Sequence, residues 1–147
     1  MVGELPSQRL KAAGIDLLET RTAPAGRYAN VVRHQGLLFV AGHGPLVEGR
    51  PMITGRVPSV VSIDDAVRAS RLAALNCLSS LADHVGDIDR VGGVVRIFGM
   101  VNADPEFEQH ATVLDGASEL VADVFADSPP HVRAAVGMAS LPFGISV

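Results

Sequence analysis

Residues 62–102 read SIDDAVRASRLAALNCLSSLADHVGDIDRVGGVVRIFGMVN, a long helical pattern that stops at a glycine and gives way to a strand. The start is marked twice: Ser62 stands before the periodic run as an N-cap with Asp65 in the capping-box position, and Asp64 and Asp65 suit the positive end of a helix. Ile63, Val67, Ala74, Leu78 and Leu81 recur at spacings of three, four and seven, the period of one buried helical face. Gly86 ends the helix, and the small and β-branched residues of VGGVVRIFGMVN (91–102) favour an extended strand.

Upstream, YANVVRHQGLLFVAGHGP (28–45) divides at Gln35-Gly36 into two apolar runs, Ala29 to Arg33 and Leu37 to Ala41, which predict an antiparallel hairpin. LVEGRPMITGRVP (46–58) reads as a loop with a brief strand around Met52 to Thr54. Before the hairpin, LPSQRLKAAGIDL (5–17) offers Ser7 as an N-cap and Gly14 as a stop, predicting a short helix over about residues 6–14, an appendage that covers an edge.

Downstream, ATVLDGASELVADVFAD (111–127) predicts a second helix from about Ala111 to Ala126, with Leu114, Leu120, Val121, Val124 and Phe125 on its apolar face. Asp115-Gly116 weakens its first part and moves the expected start toward Ser118. Pro129 and Pro130 close it, and HVRAAVGMASLPFGISV (131–147) supplies two final strands separated by Leu141-Pro142. The expected fold is α+β in the order βββαβαββ, one domain over residues 1–147 with two helices packed on one sheet face. Small apolar residues on both faces of the strands predict that another subunit covers the second face.

Twelve basic against sixteen acidic residues give a net charge of -4 with no basic run, which argues against a nucleic-acid surface. One Tyr, five Phe and no Trp leave few faces for stacking bases. The single cysteine, Cys77, rules out an intramolecular disulfide, leaves no Cys pair for structural zinc and sits mid-helix as a small core residue. The N-terminus lacks the basic-then-apolar order of a signal peptide, and no apolar run approaches the ~20 residues that span a bilayer. The expected home is the cytoplasm. Five scattered histidines lack ligand spacing, so no metal site is expected, and the acidic or proline neighbours of His110 and His131 place both in exposed loops.

Arg133 is the anomaly. It lies in a strand-like run of valine, alanine, glycine and methionine, where an unpaired guanidinium is costly, so something must meet its charge. A ligand carboxylate would do so, and so would an acidic neighbour across a subunit interface.

Taken together, GRYANVVRHQGLLFVAGHGPL (26–46), the AALNCLSSLA helix centre (73–82), DIDRVGGVVRIFGMVN (87–102) and HVRAAVGMASLP (131–142) resemble the RidA/YjgF family of the endoribonuclease L-PSP superfamily, in a branch with an extra N-terminal helix. The resemblance implies a chorismate-mutase-like homotrimer with clefts between subunits. It implies cofactor-independent hydrolysis of reactive enamines and imines to 2-keto acids and ammonia. By the same resemblance Arg133 holds the substrate carboxylate and Tyr28 lies at the mouth of the cleft, although Tyr28 also suits a core position with its hydroxyl satisfied.

This chain departs from the archetype at several positions. Ala41 replaces a serine at the hairpin end, and His43, a candidate for proton transfer or simply a hydrogen-bonded side chain, replaces glutamine. Ala135 replaces a cysteine, leaving a backbone group there to help position the reacting centre. Asp115 or Ser118 is nearest to the cleft asparagine, and Asp115 also suits a helix cap. The archetype's final-strand glutamate would fall one residue beyond Val147, and a C-terminal extension is expected to supply it. The readings in play are an imine or enamine hydrolase and a trimeric small-carboxylate-binding or regulatory protein without that chemistry. A ribonuclease is disfavoured by the acidic charge and scarce aromatics.

Overall fold

The computed structural model describes residues 3–20 and 23–147. Its elements in chain order are α1 (Pro6–Ala12), β1 (Val31–His34), β2 (Leu37–Val40), β3 (Leu46–Val47), β4 (Arg50–Pro51), α2 (Ile63–Val85), β5 (Arg96–Asn102), α3 (His110–Val124) and β6 (Val132–Met138). The architecture is α+β, as expected. Its order differs, because two very short strands replace the expected third strand and only one strand follows α3.

The ends of α2 form as its sequence dictates. Ser62 Oγ accepts the Asp65 N–H at 3.1 Å, and Gly86 adopts the left-handed conformation at φ 83° that a helix C-terminus favours. The buried face is broader than the predicted stripe, because Ala66, Ala69, Ser70 and Ala73 are buried as well. These small residues let α3 approach closely. A Cβ at Gly116 would collide with the Val67 carbonyl oxygen and lie 2.8 Å from Ser70 Oγ. Gly116 therefore sits inside α3, which starts at His110 rather than near Ser118; the interhelix contact outweighs the weak local propensity.

The β1–β2 hairpin has the predicted turn. Gln35 (φ 47°) and Gly36 (φ 82°) both take positive φ, as a two-residue turn matched to strand twist requires, and Val31 pairs with Val40. The expected strand at Met52 to Thr54 is displaced to β4, because a second tight turn at Glu48 (φ 50°) and Gly49 (φ 75°) starts the pairing at once. Thr54 still makes an isolated antiparallel bridge to Ile145. The expected last strand at the C-terminus is likewise absent: Phe143 (φ 58°) and Gly144 (φ 65°) turn the chain, and the buried residues 145–147 are held outside any continuous ladder, with Asn102 N–H donating to the Ser146 carbonyl at 2.9 Å and Ser146 N–H to the Ile53 carbonyl at 3.1 Å.

β5 and β6 run parallel, with Ile97 opposite Arg133 and Gly99 opposite Ala135. The three strand pairs form separate ladders rather than one continuous sheet. Ile97 packs in the core, and a Cβ on Gly99 would overlap Leu114 of α3, so this face of the strand pair meets the helices. Strand alternation then turns Phe98 and Val132 to the opposite face, where they are 52% and 64% exposed. Val32 and Phe39, paired across the hairpin, are exposed too.

α1 begins with Pro6 in its first turn, so Leu5 rather than Ser7 occupies the cap position, and Gln8 Oε1 accepts the Leu5 N–H at 2.9 Å. Ser7 instead bonds Asp89 through both its N–H (2.8 Å) and its hydroxyl (2.6 Å). Buried Leu10 and the bond from Arg9 Nη1 to the Val124 carbonyl (3.2 Å) dock α1 onto the end of α3. No helix of the described residues is long and apolar enough to cross a membrane.

Candidate functional site

Arg133 shares the helix-facing side of β6, and its guanidinium reaches α3. Nη1 donates to Asp115 Oδ1 at 2.8 Å and to Ser118 Oγ at 2.9 Å. Asp115 and Ser118 are three residues apart, which puts them on one side of the helix. The charge that the strand-like sequence left unexplained is thus met by an acidic group of the same chain. Nε and Nη2 of Arg133 donate to no described residue, and the guanidinium side chain is 23% exposed. Those two N–H groups form the edge that grips a carboxylate side-on.

A guanidinium carries donors only, so Ser118 Oγ must accept from Arg133. Its own proton is then available to His131 Nε2, 3.0 Å away. His131 takes that proton when it is neutral with its own proton on Nδ1; a protonated Nε2 would instead donate to the serine's second lone pair. Burial lowers the His131 pKa below its ordinary 6.5, and the nearby Arg133 charge lowers it further. His131 is half-buried and bonded, not in an exposed loop as its prolines imply. The missed signal was local: residues i and i+2 of a strand share a face, so a histidine two positions before the arginine points the same way. His110 departs from the loop expectation as well; it opens α3 and meets Phe107 edge-on at 5.0 Å.

The backbone beside Arg133 is also open. Val132 N–H donates to the Val95 carbonyl (3.0 Å) and Ala103 N–H to the Met138 carbonyl (3.4 Å), so the even-numbered residues of β6 bond toward β5. By alternation the N–H and C=O groups of Arg133, Ala135 and Gly137 lie along the other edge, where no described strand pairs. Ala135 itself is half-buried against the core.

The remaining candidates lie elsewhere in the chain. His43 Nδ1 bonds the Ala41 carbonyl at 2.8 Å and Nε2 bonds Ser80 Oγ at 2.8 Å, so both ring nitrogens are occupied in a contact that ties the hairpin end to α2. Ala41 also gives its N–H to the Asn30 carbonyl at 2.8 Å. Tyr28 is 50% exposed, and its hydroxyl accepts the Ala25 N–H at 3.2 Å, so it is not a core aromatic. None of the three contacts the Arg133 group. A hollow of about 330 Å³, lined by residues that include Asn30, Ser79, Ser80 and His84, lies on the His43 side, and Arg133 does not border it. We place the candidate chemistry at Arg133, where charge, a hydroxyl and an imidazole converge.

Cys77 belongs to no site: burial pushes its thiol up to about 12, the behaviour of an inert packed cysteine. Among the described residues no three His, Cys, Asp or Glu side chains are grouped to hold a metal ion.

Two long packed helices over parallel and hairpin strands, with a strand arginine reaching into the helix layer, define a class of α+β protein. The chain belongs to the family described as "YjgF/chorismate mutase-like, putative endoribonuclease", which matches residues 7–145. It is 35% identical over 139 residues to Protein TCP17 of Trypanosoma cruzi, across 94% of this chain and 86% of that protein. A protein of unknown function from Agrobacterium tumefaciens is 36% identical, with a TM-score of 0.85 over 97% of this chain and 86% of that one. A protein described as a "putative endoribonuclease" from Shewanella oneidensis MR-1 superposes with a TM-score of 0.91 at 27% identity, covering 97% of this chain and 94% of its own.

Proposed function

We propose that this protein hydrolyses small carboxylate-bearing imines and enamines to 2-keto acids and ammonia without a cofactor, in the cytoplasm, at a cleft completed by subunits of a homotrimer. The observation that carries this reading is the Nε/Nη2 edge of Arg133, which donates to no described residue and is held in place through Nη1 by Asp115 and Ser118. A preorganised guanidinium binds a planar carboxylate through two parallel N–H groups. The open backbone edge at Ala135 offers a further hydrogen bond to the reacting centre. Reactive imines also hydrolyse unaided, so positioning and a modest electrostatic contribution suffice.

The trimer is favoured by the exposed apolar side chains Phe98, Val132, Val32 and Phe39 on strand faces that no helix covers. Joining subunits there would bury them. The test is ammonia release from imines generated in situ by an amino-acid oxidase. Rates above the uncatalysed control are expected, and none across several amino acids would refute the reading.

The second reading is a carboxylate-binding protein without hydrolysis. Ala41 and Ala135, which stand where the archetype carries a hydroxyl and a thiol, favour it. Binding of 2-ketobutyrate with no rate enhancement would select it. The family's endoribonuclease name finds no support in the net charge of -4.

A further inference from the structure

Three features stand outside the role given to Arg133. The His43–Ser80 contact satisfies both imidazole nitrogens in a structural tie. The uncovered strand face is accounted for by the proposed assembly. The third is the pair on the α3 side of the arginine: a serine hydroxyl held between a guanidinium at 2.9 Å and an imidazole at 3.0 Å.

We propose that Ser118 and His131 are the proton-transfer pair of this site, Ser118 contacting the attacking water and His131 accepting its proton through the serine hydroxyl. This rests on the imine-hydrolase reading and assigns it a residue pair. The hydrogen-bond geometry permits the direction that the step needs. Arg133 cannot accept, so it engages one Ser118 lone pair, and the Nδ1–H tautomer of His131 leaves Nε2 open to the hydroxyl proton. A neutral imidazole at the end of such a chain is ready to take a proton. The shift of His131 to lower pKa keeps it in that form at neutral pH.

With the substrate carboxylate on the Nε/Nη2 edge, the water oxygen bonds to the iminium carbon and the C=N π pair moves to nitrogen. One water proton passes to Ser118 as the serine's own proton moves to Nε2. The imidazolium then returns a proton by the same path to the amino nitrogen. The C–N bond breaks with its electron pair leaving on ammonia, and the hydroxyl proton is released to solvent as the carbonyl forms. Ser118 is the catalytic residue here, and His131, which acts through it, is a positioning residue that also holds the proton.

The charge acting on His131 is that of Arg133, two residues on in β6, and Asp115 of α3 meets that arginine; on β5 the register partner of Val132 is Arg96. The experiment has two readouts on the full chain. Nitrogen-15 spectra of the imidazoles, with His131 assigned by its loss in His131→Gln, should show a neutral Nδ1–H tautomer at pH 7 and a titration below 6.5 that moves in Ser118→Ala. The rate of in situ imine hydrolysis should fall with pH below that titration, because the base form is required. His131→Gln should lower kcat about 100-fold with KM unchanged and abolish the acidic limb. Ser118→Thr should restore much of what Ser118→Ala loses.

A protonated Nε2 at pH 7, or hydrolysis that survives His131→Gln with its pH profile intact, overturns the pair alone. Absence of hydrolysis in the unsubstituted chain overturns the imine-hydrolase reading, and with it any reaction at this pair.

Discussion

Arg133→Lys separates a ligand-binding arginine from a structural one. In the structure Nη1 is committed to Asp115 and Ser118, while Nε and Nη2 donate to no described residue. Lysine keeps a unit positive charge near Asp115 but cannot hold that carboxylate and grip a second one through two parallel donors. The loss for a keto acid is therefore about one charge-assisted hydrogen bond, at the low end of the usual range because the site opens to solvent: about 1.5 kcal/mol, roughly a tenfold rise in Kd. The cost to stability is smaller. Asp115 is 52% exposed, and ion pairs so placed contribute about 0.2–1 kcal/mol, part of which lysine retains. For a chain of this size that corresponds to a fall in Tm of no more than about 3 °C.

Calorimetric titration with 2-ketobutyrate alongside thermal unfolding measures both quantities. Unchanged affinity combined with a Tm lower by about 6 °C or more, roughly 2 kcal/mol, would show that Arg133 serves the scaffold, and the function proposed above would lose its main support.

Three further outcomes follow from the same structure. Gly116→Ala drives a methyl group into the Val67 carbonyl and should cost about 1–3 kcal/mol, seen as a Tm drop of several degrees with the far-ultraviolet spectrum unchanged. Cys77 should resist a thiol reagent at pH 8 in the native protein and react at once in guanidinium; because its pKa rises from 9.0 to about 12 on folding, stability should decline as pH is raised through that window, and Cys77→Ala should lessen the decline. Sedimentation equilibrium at micromolar concentration should give three times the 15.3 kDa chain mass, and a monomer would refute the proposed assembly.

How much of this was legible in the sequence depends on whether local chemistry or packing decided each element. The ends of α2 and the β1–β2 turn were legible, since a serine cap, a terminal glycine and Gln35-Gly36 act through their own backbone. The start of α3 was not, because Gly116 reads as a weak helix former until the small-residue face of α2 is laid against it. Phe143 in a left-handed conformation could not be anticipated either, and it turned an expected strand into a bend. At the site, Arg133 announced itself as a charge in a strand, and Asp115 and Ser118 were both named as alternatives. The structure brings both to the same guanidinium nitrogen. His131 escaped because Pro129 and Pro130 suggested a loop, whereas pairing resumes at Val132.

The Asp115 carboxylate bears on product release, because it balances the Arg133 charge and makes a bound carboxylate slightly unwelcome. An arginine left unpaired in a half-buried strand would be expensive, and Asp115 offsets that cost before any ligand arrives. The 2-keto acid product keeps its carboxylate, so a clamp without Asp115 would release it slowly. For like charges a few ångströms apart in a solvent-open setting, repulsion is about 1 kcal/mol, roughly fivefold in affinity. Asp115→Asn retains an oxygen to accept from Nη1 and removes the charge, so it should tighten 2-ketobutyrate binding about fivefold and raise the salt dependence of binding, because the guanidinium charge is then unbalanced. If Asp115→Asn weakens binding instead, the carboxylate acts mainly to hold the guanidinium in place. The balance between orientation and repulsion argued here would then be reversed.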